Sequence, residues 1–104
     1  MHAVKRLLWW ILAGTAGGLN RGRIIELLFE KPRNANEISK DLDLDYKTVR
    51  HHIQVLERNN LITSMGSDYG KVYFPSDLLE KHKEFFDEIW GKIGKKEIKS
   101  KRGE

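Results

Sequence analysis

The sequence contains no cysteine among its 104 residues. This absence excludes disulfide bonds, thiolate metal sites and a cysteine nucleophile, and it predicts an intracellular, cytoplasmic protein. The sequence also has no apolar run near the ~20 residues of a membrane-spanning helix. We therefore expect no membrane partner, and the length is that of a single domain.

Negative charge is in the minority, with 15 Asp and Glu against 19 Lys and Arg, for a formal net charge of +4. Charged residues make up 33% and hydrophobic residues 39% of the chain, a balance typical of a folded domain with a well-solvated surface. The positive charge permits binding to a polyanion but does not by itself establish it.

The amino end combines two basic residues with a short apolar run at residues 7–13, in the order of a secretory signal peptide. The run is at the short limit for such a segment and contains two tryptophans, so we favour an amphipathic helix. Its apolar stripe has the spacing i, i+3, i+4, i+7 and consists of Val4, Leu7, Leu8 and Ile11. So broad a face must be covered by the core or by a second chain.

Breaking and capping residues predict two short helices next. The glycines at 14, 17 and 18 end the first helix, and Asn20 is the predicted N-cap of the second. Pro32 ends that second helix. Asn34 and Glu37 then have the spacing of a capping box for a short third helix.

Asp45 is the predicted N-cap of a longer fourth helix, from Tyr46 to about Arg58. Two β-prone runs around a glycine-containing turn follow and predict a hairpin that ends at Pro75. Ser76 caps a final helix, and the tail after Gly94 is predicted to be flexible.

This order predicts a mainly α protein with a small β-hairpin wing, which is a winged helix-turn-helix with extra helices at both termini. We divide the chain into an N-terminal helix (residues 1–18), a winged helix-turn-helix (19–75), a C-terminal helix (76–94) and a basic flexible tail (95–104).

The fourth helix contains two adjacent histidines, His51 and His52, that suggest a metal site or a catalytic pair. Successive helical side chains point about 100° apart, whereas two histidine ligands on one helix normally share a face. No Ser, Asp or Glu stands where it forms a triad with either histidine unless a tertiary contact is assumed. His52 lies at the edge of the apolar face, so we interpret it as a core histidine, and His51 belongs to the polar face.

The polar face of this helix has the chemistry of a DNA-reading surface, although a plain solvated face is the alternative. Arg50 and Gln54 are the candidates for base edges, each worth roughly 1–3 kcal/mol of discrimination. Other side chains near the helix start suit phosphates or the groove rim, and a lysine in the hairpin reaches the backbone or minor groove. The predicted DNA-binding residues are Tyr46, Lys47, Thr48, Arg50, His51, Gln54, Arg58 and Lys71.

The stretch NANEISKDLDLDYKTVRHHIQVLERNNLI, followed by GSDYGKVYF, resembles the ArsR-type winged-helix transcription regulators, most closely archaeal members, over roughly residues 20 to 75. The resemblance implies sequence-specific binding of double-stranded DNA by a homodimer, with the fourth helix as recognition helix. In that family the terminal helices commonly form the dimer interface. Here this implies an interface of Leu8, Trp9, Ile11, Leu12, Phe86, Ile89, Trp90 and Ile93.

The sequence departs from the metal-sensing branch of that family. The branch has cysteines near the start of the recognition helix, where this chain has DLDLDYKT. A second type of sensor uses Asp and His on the last helix, but Asp77 and His82 are five residues apart and do not share a face. We therefore expect no metal and no cofactor.

Three alternatives stay open at this point. A winged helix can serve only as a protein-contact module, or it can bind RNA without reading a DNA groove. An enzyme is the least favoured, because no acid, base and nucleophile can be assembled from the sequence. The DNA interpretation requires that Arg50 and Gln54 are neither sealed inside the protein nor covered by the wing.

Overall fold

The computed structural model describes residues 2–101, without the side chains of Tyr69 and of residues 94–101. The helices are α1 (Ala3–Trp9), α2 (Gly18–Glu30), α3 (Ala35–Leu42), α4 (Tyr46–Arg58), α5 (Asp77–Lys81) and α6 (Lys83–Lys101). The strands are β1 (Ile62–Met65) and β2 (Val72–Pro75). A π-helical turn, Trp10–Gly14, follows α1, and a 3₁₀ turn, Asp68–Gly70, joins the strands. The predicted winged helix-turn-helix with extra terminal helices is confirmed.

The predicted caps of α3, α4 and α5 are all present. The Asn34 side chain accepts a hydrogen bond from the Glu37 amide at 2.8 Å, and the Glu37 carboxylate accepts one from the Asn34 amide at 2.9 Å. Asp45 accepts bonds from two backbone amides at the start of α4. The Ser76 hydroxyl accepts one from the Leu79 amide at 3.1 Å. These short-range bonds satisfy amides that have no partner within a helix.

The start of α2 differs from the prediction. The helix begins at Gly18, and Asn20 lies inside it, where its side chain accepts a hydrogen bond from Arg23 at 3.2 Å. Gly17 precedes the helix with a φ of 87°, a left-handed conformation that glycine adopts without strain. A Cβ on Gly18 would lie 2.5 Å from the carbonyl carbon of Leu12 and nearer still to its oxygen. The close approach of these two backbones therefore sets the helix start.

The wing is an antiparallel pair of strands in which Ile62 faces Pro75 and Met65 faces Val72. Arg33 extends the wing by an isolated bridge to Tyr73, whose amide donates to the Arg33 carbonyl at 2.8 Å. Tyr73 is buried. The wing is thus attached to the connection between α2 and α3, which fixes its position beside α4.

The terminal helices pack on each other and on α2. Lys5 in α1 forms an ion pair with Glu88 in α6 at 3.0 Å. The indole of Trp90 donates to Glu26 at 3.1 Å and covers Gly22, where an added Cβ would clash with the ring. These contacts make α1, α2 and α6 one helical layer behind the helix-turn-helix.

Six side chains predicted for the dimer interface are buried within this single chain. They are Leu8, Ile11, Leu12, Phe86, Ile89 and Trp90. The sequence shows that these faces need a cover, but not that α1 and α6 cover each other. Because one chain already buries the six side chains, a second copy can contact only their more exposed neighbours.

The carboxyl end also differs from the prediction. The expected single helix after Ser76 is interrupted at His82, which is the C-cap of α5, and α6 begins at the next residue. A flexible tail was predicted from residue 95, but α6 continues to Lys101. One glycine costs a helix only about 1 kcal/mol, and the lysines and glutamate that follow Gly94 are good helix formers. Residues 102–104 of the predicted tail lie outside the described residues.

Candidate nucleic-acid interface

Helix α4 separates an apolar side from a polar side, as the sequence predicts. Its buried side chains are Val49, His52, Ile53 and Leu56. Of the predicted DNA-binding residues on α4, Thr48 and Arg50 are partly exposed, and the exposed ones are Tyr46, Lys47, His51, Gln54 and Arg58. The Asp45 carboxylate accepts bonds from the amides of Lys47 at 3.0 Å and Thr48 at 3.3 Å, so the helix start is fixed. The result is a rigid rod with donors and cations facing solvent.

Arg50 is held against the wing. Its Nη1 donates to the hydroxyl of Tyr73 in β2 at 2.8 Å. This hydrogen bond raises the pKa of Arg50 above its ordinary value, so the guanidinium remains charged. A guanidinium has five N–H donors, and this contact uses one of them. The DNA interpretation requires both side chains to be exposed. Gln54 is exposed, and Arg50 is partly exposed.

A groove of about 450 Å³ opens between α4, the start of α3 and the wing. Three of the predicted DNA-binding residues line it together, namely Tyr46, Arg50 and Lys71. Asn36 in the first turn of α3 also lines the groove, and the sequence prediction missed it. The signal available in the sequence was the polar Asn-Ala-Asn stretch at the start of α3, the helix before α4. Asp68 adds one negative charge to the wing side of the groove.

The other predicted residues on α4 lie outside this groove. Lys47 and Gln54 are exposed, and Thr48 is partly exposed. His51 and Arg58 line a second cleft, together with Trp10. The structure thus separates the predicted set into a group beside the wing, a group on the free face of α4 and a pair near the π-helical turn.

His52 is a core histidine, as the sequence predicts, with 5% of its surface exposed. Its Nδ1 lies 3.4 Å from Nη1 of Arg21, and because an arginine only donates, this nitrogen accepts and the ring is neutral. Burial is the main cause that lowers the pKa of His52 to about 4, and the charges of Arg21 and His51 contribute to the same shift. His52 therefore supports α4 from the core side and is not a surface contact.

Two of the residues predicted for a dimer interface keep partly exposed side chains, Trp9 in α1 and Ile93 in α6. Trp10, just after α1, is 55% exposed. Ile93 also lines an apolar groove with residues of the π-helical turn and of the α2 start. These positions remain available to a second chain.

Among the side chains that the structure describes, no three His, Asp or Glu residues converge as a metal ion would require. Asp77 lies in the first turn of α5, and His82 is the C-cap of that helix, with Nδ1 2.9 Å from the Leu78 carbonyl oxygen.

Within residues 2–101, no helix is both long enough and apolar enough to cross a bilayer.

The helix-turn-helix lies in a segment that matches a known family. Residues 20–64, from the first turn of α2 into β1, match the model of the bacterial regulatory proteins of the arsR family. Residues 20–64 carry an ArsR-type helix-turn-helix. The family resemblance of the sequence is confirmed, and the likeness to archaeal members stays a prediction. No curated protein matches the chain closely enough to count as a relative.

Solved structures extend the likeness beyond the ArsR-type segment. The reduced form of the transcriptional regulator YodB from B. subtilis superposes with a TM-score of 0.66 at 19% identity, over 88% of this chain and 90% of that one. A probable transcriptional regulator from Pseudomonas aeruginosa superposes with a TM-score of 0.55 at 16% identity, over 96% of this chain and 84% of that one. At such identities the likeness is one of fold, and both superpositions extend over more of the chain than residues 20–64. The matched family is one of regulatory proteins, which indicates a regulator and not an enzyme.

Proposed function

We propose that this protein is a cytoplasmic transcription regulator that binds double-stranded DNA as a homodimer. The observation that carries the proposal is the polar side of α4, which is capped by Asp45, exposed to solvent and flanked by the wing. A helix of this kind fits the major groove of B-form DNA.

In the proposed complex, Gln54 and the free donors of Arg50 contact base edges. Lys47, Thr48, Tyr46 and His51 contact phosphates at the groove rim, together with Arg58. The wing contributes Lys71 to the backbone or the minor groove. Tyr73 orients Arg50 through the 2.8 Å hydrogen bond, so less side-chain freedom is lost when Arg50 meets a base.

Two copies are part of the proposal because the local charge is modest. Residues 45–75 hold four Lys and Arg against three Asp and Glu, so one copy offers few phosphate contacts. We propose that Trp9 and Ile93, with the neighbouring exposed surface of α1 and α6, form the contact between copies. A symmetric dimer that presents its recognition helices about 34–36 Å apart reads an inverted repeat.

The first experiment is selection of bound fragments from random DNA duplexes, followed by titration of the best duplex at several salt concentrations. If several phosphates are contacted, the logarithm of the association constant falls linearly with the logarithm of the salt concentration. A module that contacts only proteins shows no such slope. If the protein is instead an RNA-binding domain, a double-stranded RNA competes for binding as well as the selected DNA does.

Two single substitutions on α4 are expected to act differently on binding. Arg50→Ala should weaken the selected duplex by about 1–3 kcal/mol and leave a scrambled duplex nearly unaffected, because a base contact is lost. Lys47→Ala should weaken both duplexes equally and by less, because a phosphate contact is lost. Fluorescence anisotropy with both duplexes measures the difference, and Lys81→Ala, an exposed cation on α5, is the control. Equal effects of the first two variants on both duplexes would show that the face is misassigned.

Substitutions at the proposed contact between copies should change the oligomeric state. Trp9→Gln and Ile93→Gln are each expected to lower the association constant of the dimer by at least about tenfold, because apolar surface is lost from the contact. Sedimentation equilibrium measures this constant. Met65→Gln removes an apolar side chain that is 67% exposed on the wing, and it should leave the dimer unchanged. The proposed contact is refuted if all three variants sediment as the parent protein does.

A further inference from the structure

A second cleft, of about 470 Å³, lies beside the carboxyl half of α4. Trp10 from the π-helical turn contributes to its lining, as do His51, Val55 and Arg58 from α4. Arg21 from α2 also lines it. Of the described residues that line the cleft, none is Asp or Glu, in contrast to the groove beside the wing. The cleft is therefore positively charged.

Arg21 is a buried cation, with only 3% of its surface exposed. Its Nε donates to the Ile11 carbonyl at 3.0 Å, and its two other nitrogens contact the Thr15 hydroxyl and the neutral ring of His52. All three partners are uncharged, and none of the side chains that the structure describes forms an ion pair with Arg21. Buried charges in proteins are normally paired with an opposite charge, so the cleft holds a charge that these described side chains do not neutralise.

The rest of the cleft adds two exposed donors and an aromatic surface. His51 and Arg58 are exposed and form no ion pair within the described part of the chain. Trp10 is 55% exposed, which is unusual for so large an apolar side chain. Cations suit a carboxylate, and an indole suits the flat apolar body of a small molecule. A bare phosphate would use the cations and leave the indole exposed.

We propose that this cleft binds a small aromatic carboxylate, with its ring against Trp10 and its carboxylate paired with Arg58 and His51 in the field of Arg21. The occupant engages two side chains that are proposed to contact DNA. Ligand binding and DNA binding should therefore oppose each other. This consequence, unlike ligand binding itself, rests on the proposed function.

The test is titration of the DNA-free protein with phenylacetate, followed by NMR of the backbone amides and the tryptophan indoles. We expect saturable shifts at the Trp10 indole and at the amides of residues 51–58. Phenylacetamide, which has the same shape without the charge, and acetate, which lacks the ring, should each bind at least about tenfold more weakly. Inorganic phosphate should also bind more weakly. Equal binding of the acid and the amide, equal binding of phosphate, or shifts spread outside the cleft would overturn the proposal.

Matched variants test the residues of the cleft. Arg58→Gln should weaken phenylacetate binding by about tenfold, whereas Lys47→Gln, on the same helix but outside the cleft, should not change it. Both side chains are exposed, so neither variant depends on refolding of the core. An equal loss in the two variants would show a general charge effect and refute the site.

A last measurement connects the cleft to DNA. Saturating phenylacetate should weaken the selected duplex by about threefold in the parent protein and by less in Arg58→Gln, because the pairing that competes with DNA is already reduced. If the protein binds no duplex but binds phenylacetate as described, the proposed function fails and the ligand site stands. If the duplex binds and phenylacetate does not, the ligand site fails alone.

Discussion

Replacing Gly18 by alanine is expected to lower the free energy of unfolding by about 3 kcal/mol, the upper end of the range for added volume in a packed interior. The new methyl group would lie 2.5 Å from the carbonyl carbon of Leu12. That atom belongs to the backbone of the π-helical turn and cannot rotate away as a side chain does. Urea unfolding followed by circular dichroism measures the loss as a lower midpoint urea concentration, while the dependence of the free energy of unfolding on urea concentration stays the same.

Gly91→Ala is the matched control for this substitution. Gly91 is exposed in α6, and a Cβ there meets nothing within 4 Å. Alanine should therefore stabilise the protein by about 0.5–1 kcal/mol, through its higher helix propensity. A Gly18→Ala protein as stable as the Gly91→Ala protein would show that the two backbones do not approach as described.

Acidification between pH 6.5 and 4 is expected to remove up to about 3 kcal/mol of stability through His52. The pKa of His52 in the folded protein is about 4, against an ordinary value of 6.5. In this window the unfolded state binds the proton and the folded state does not. The stability that neutral His52 contributes is therefore fully present above pH 6.5 and is lost as the pH falls towards 4. Urea unfolding at pH 7, 6, 5 and 4.5 measures how the free energy of unfolding changes with pH.

The comparison for this prediction is His52→Gln, in which the amide oxygen accepts the bond from Arg21 but does not titrate. The variant should be less stable than the parent protein at pH 7 and should lose less stability on acidification. All other side chains are the same in the two proteins, so their contributions to the pH dependence cancel in the difference. If the two proteins lost stability in parallel down to pH 4.5, His52 would not be the group responsible.

Local hydrogen bonding explains why the sequence predicts the middle of this protein well. Asn34 and Glu37 are three residues apart, and the Asp45 cap bonds amides two and three residues away. The period of 3.6 residues then divides α4 into a buried and an exposed side, so the exposure of Lys47, His51 and Gln54 follows from spacing alone. Capping, periodicity and turn residues are sufficient for the helix-turn-helix and its wing.

Contacts between distant residues decide what the sequence could not. Trp90 meets Glu26 across 64 positions, Arg50 meets Tyr73 across 23 and Arg21 meets His52 across 31. No spacing rule predicts such pairs, because each depends on how whole helices pack.

The sequence by itself determined the order of the elements up to the wing, the caps of α3, α4 and α5, and the polar side of α4, because each depends on neighbours close in the chain. Only the tertiary structure decided that α1 and α6 cover each other within one chain, that Arg50 is oriented by the wing, and that Arg21 is buried without a carboxylate among the described side chains. Apolar faces show where burial is needed, but the choice of partner depends on the packing of the complete chain.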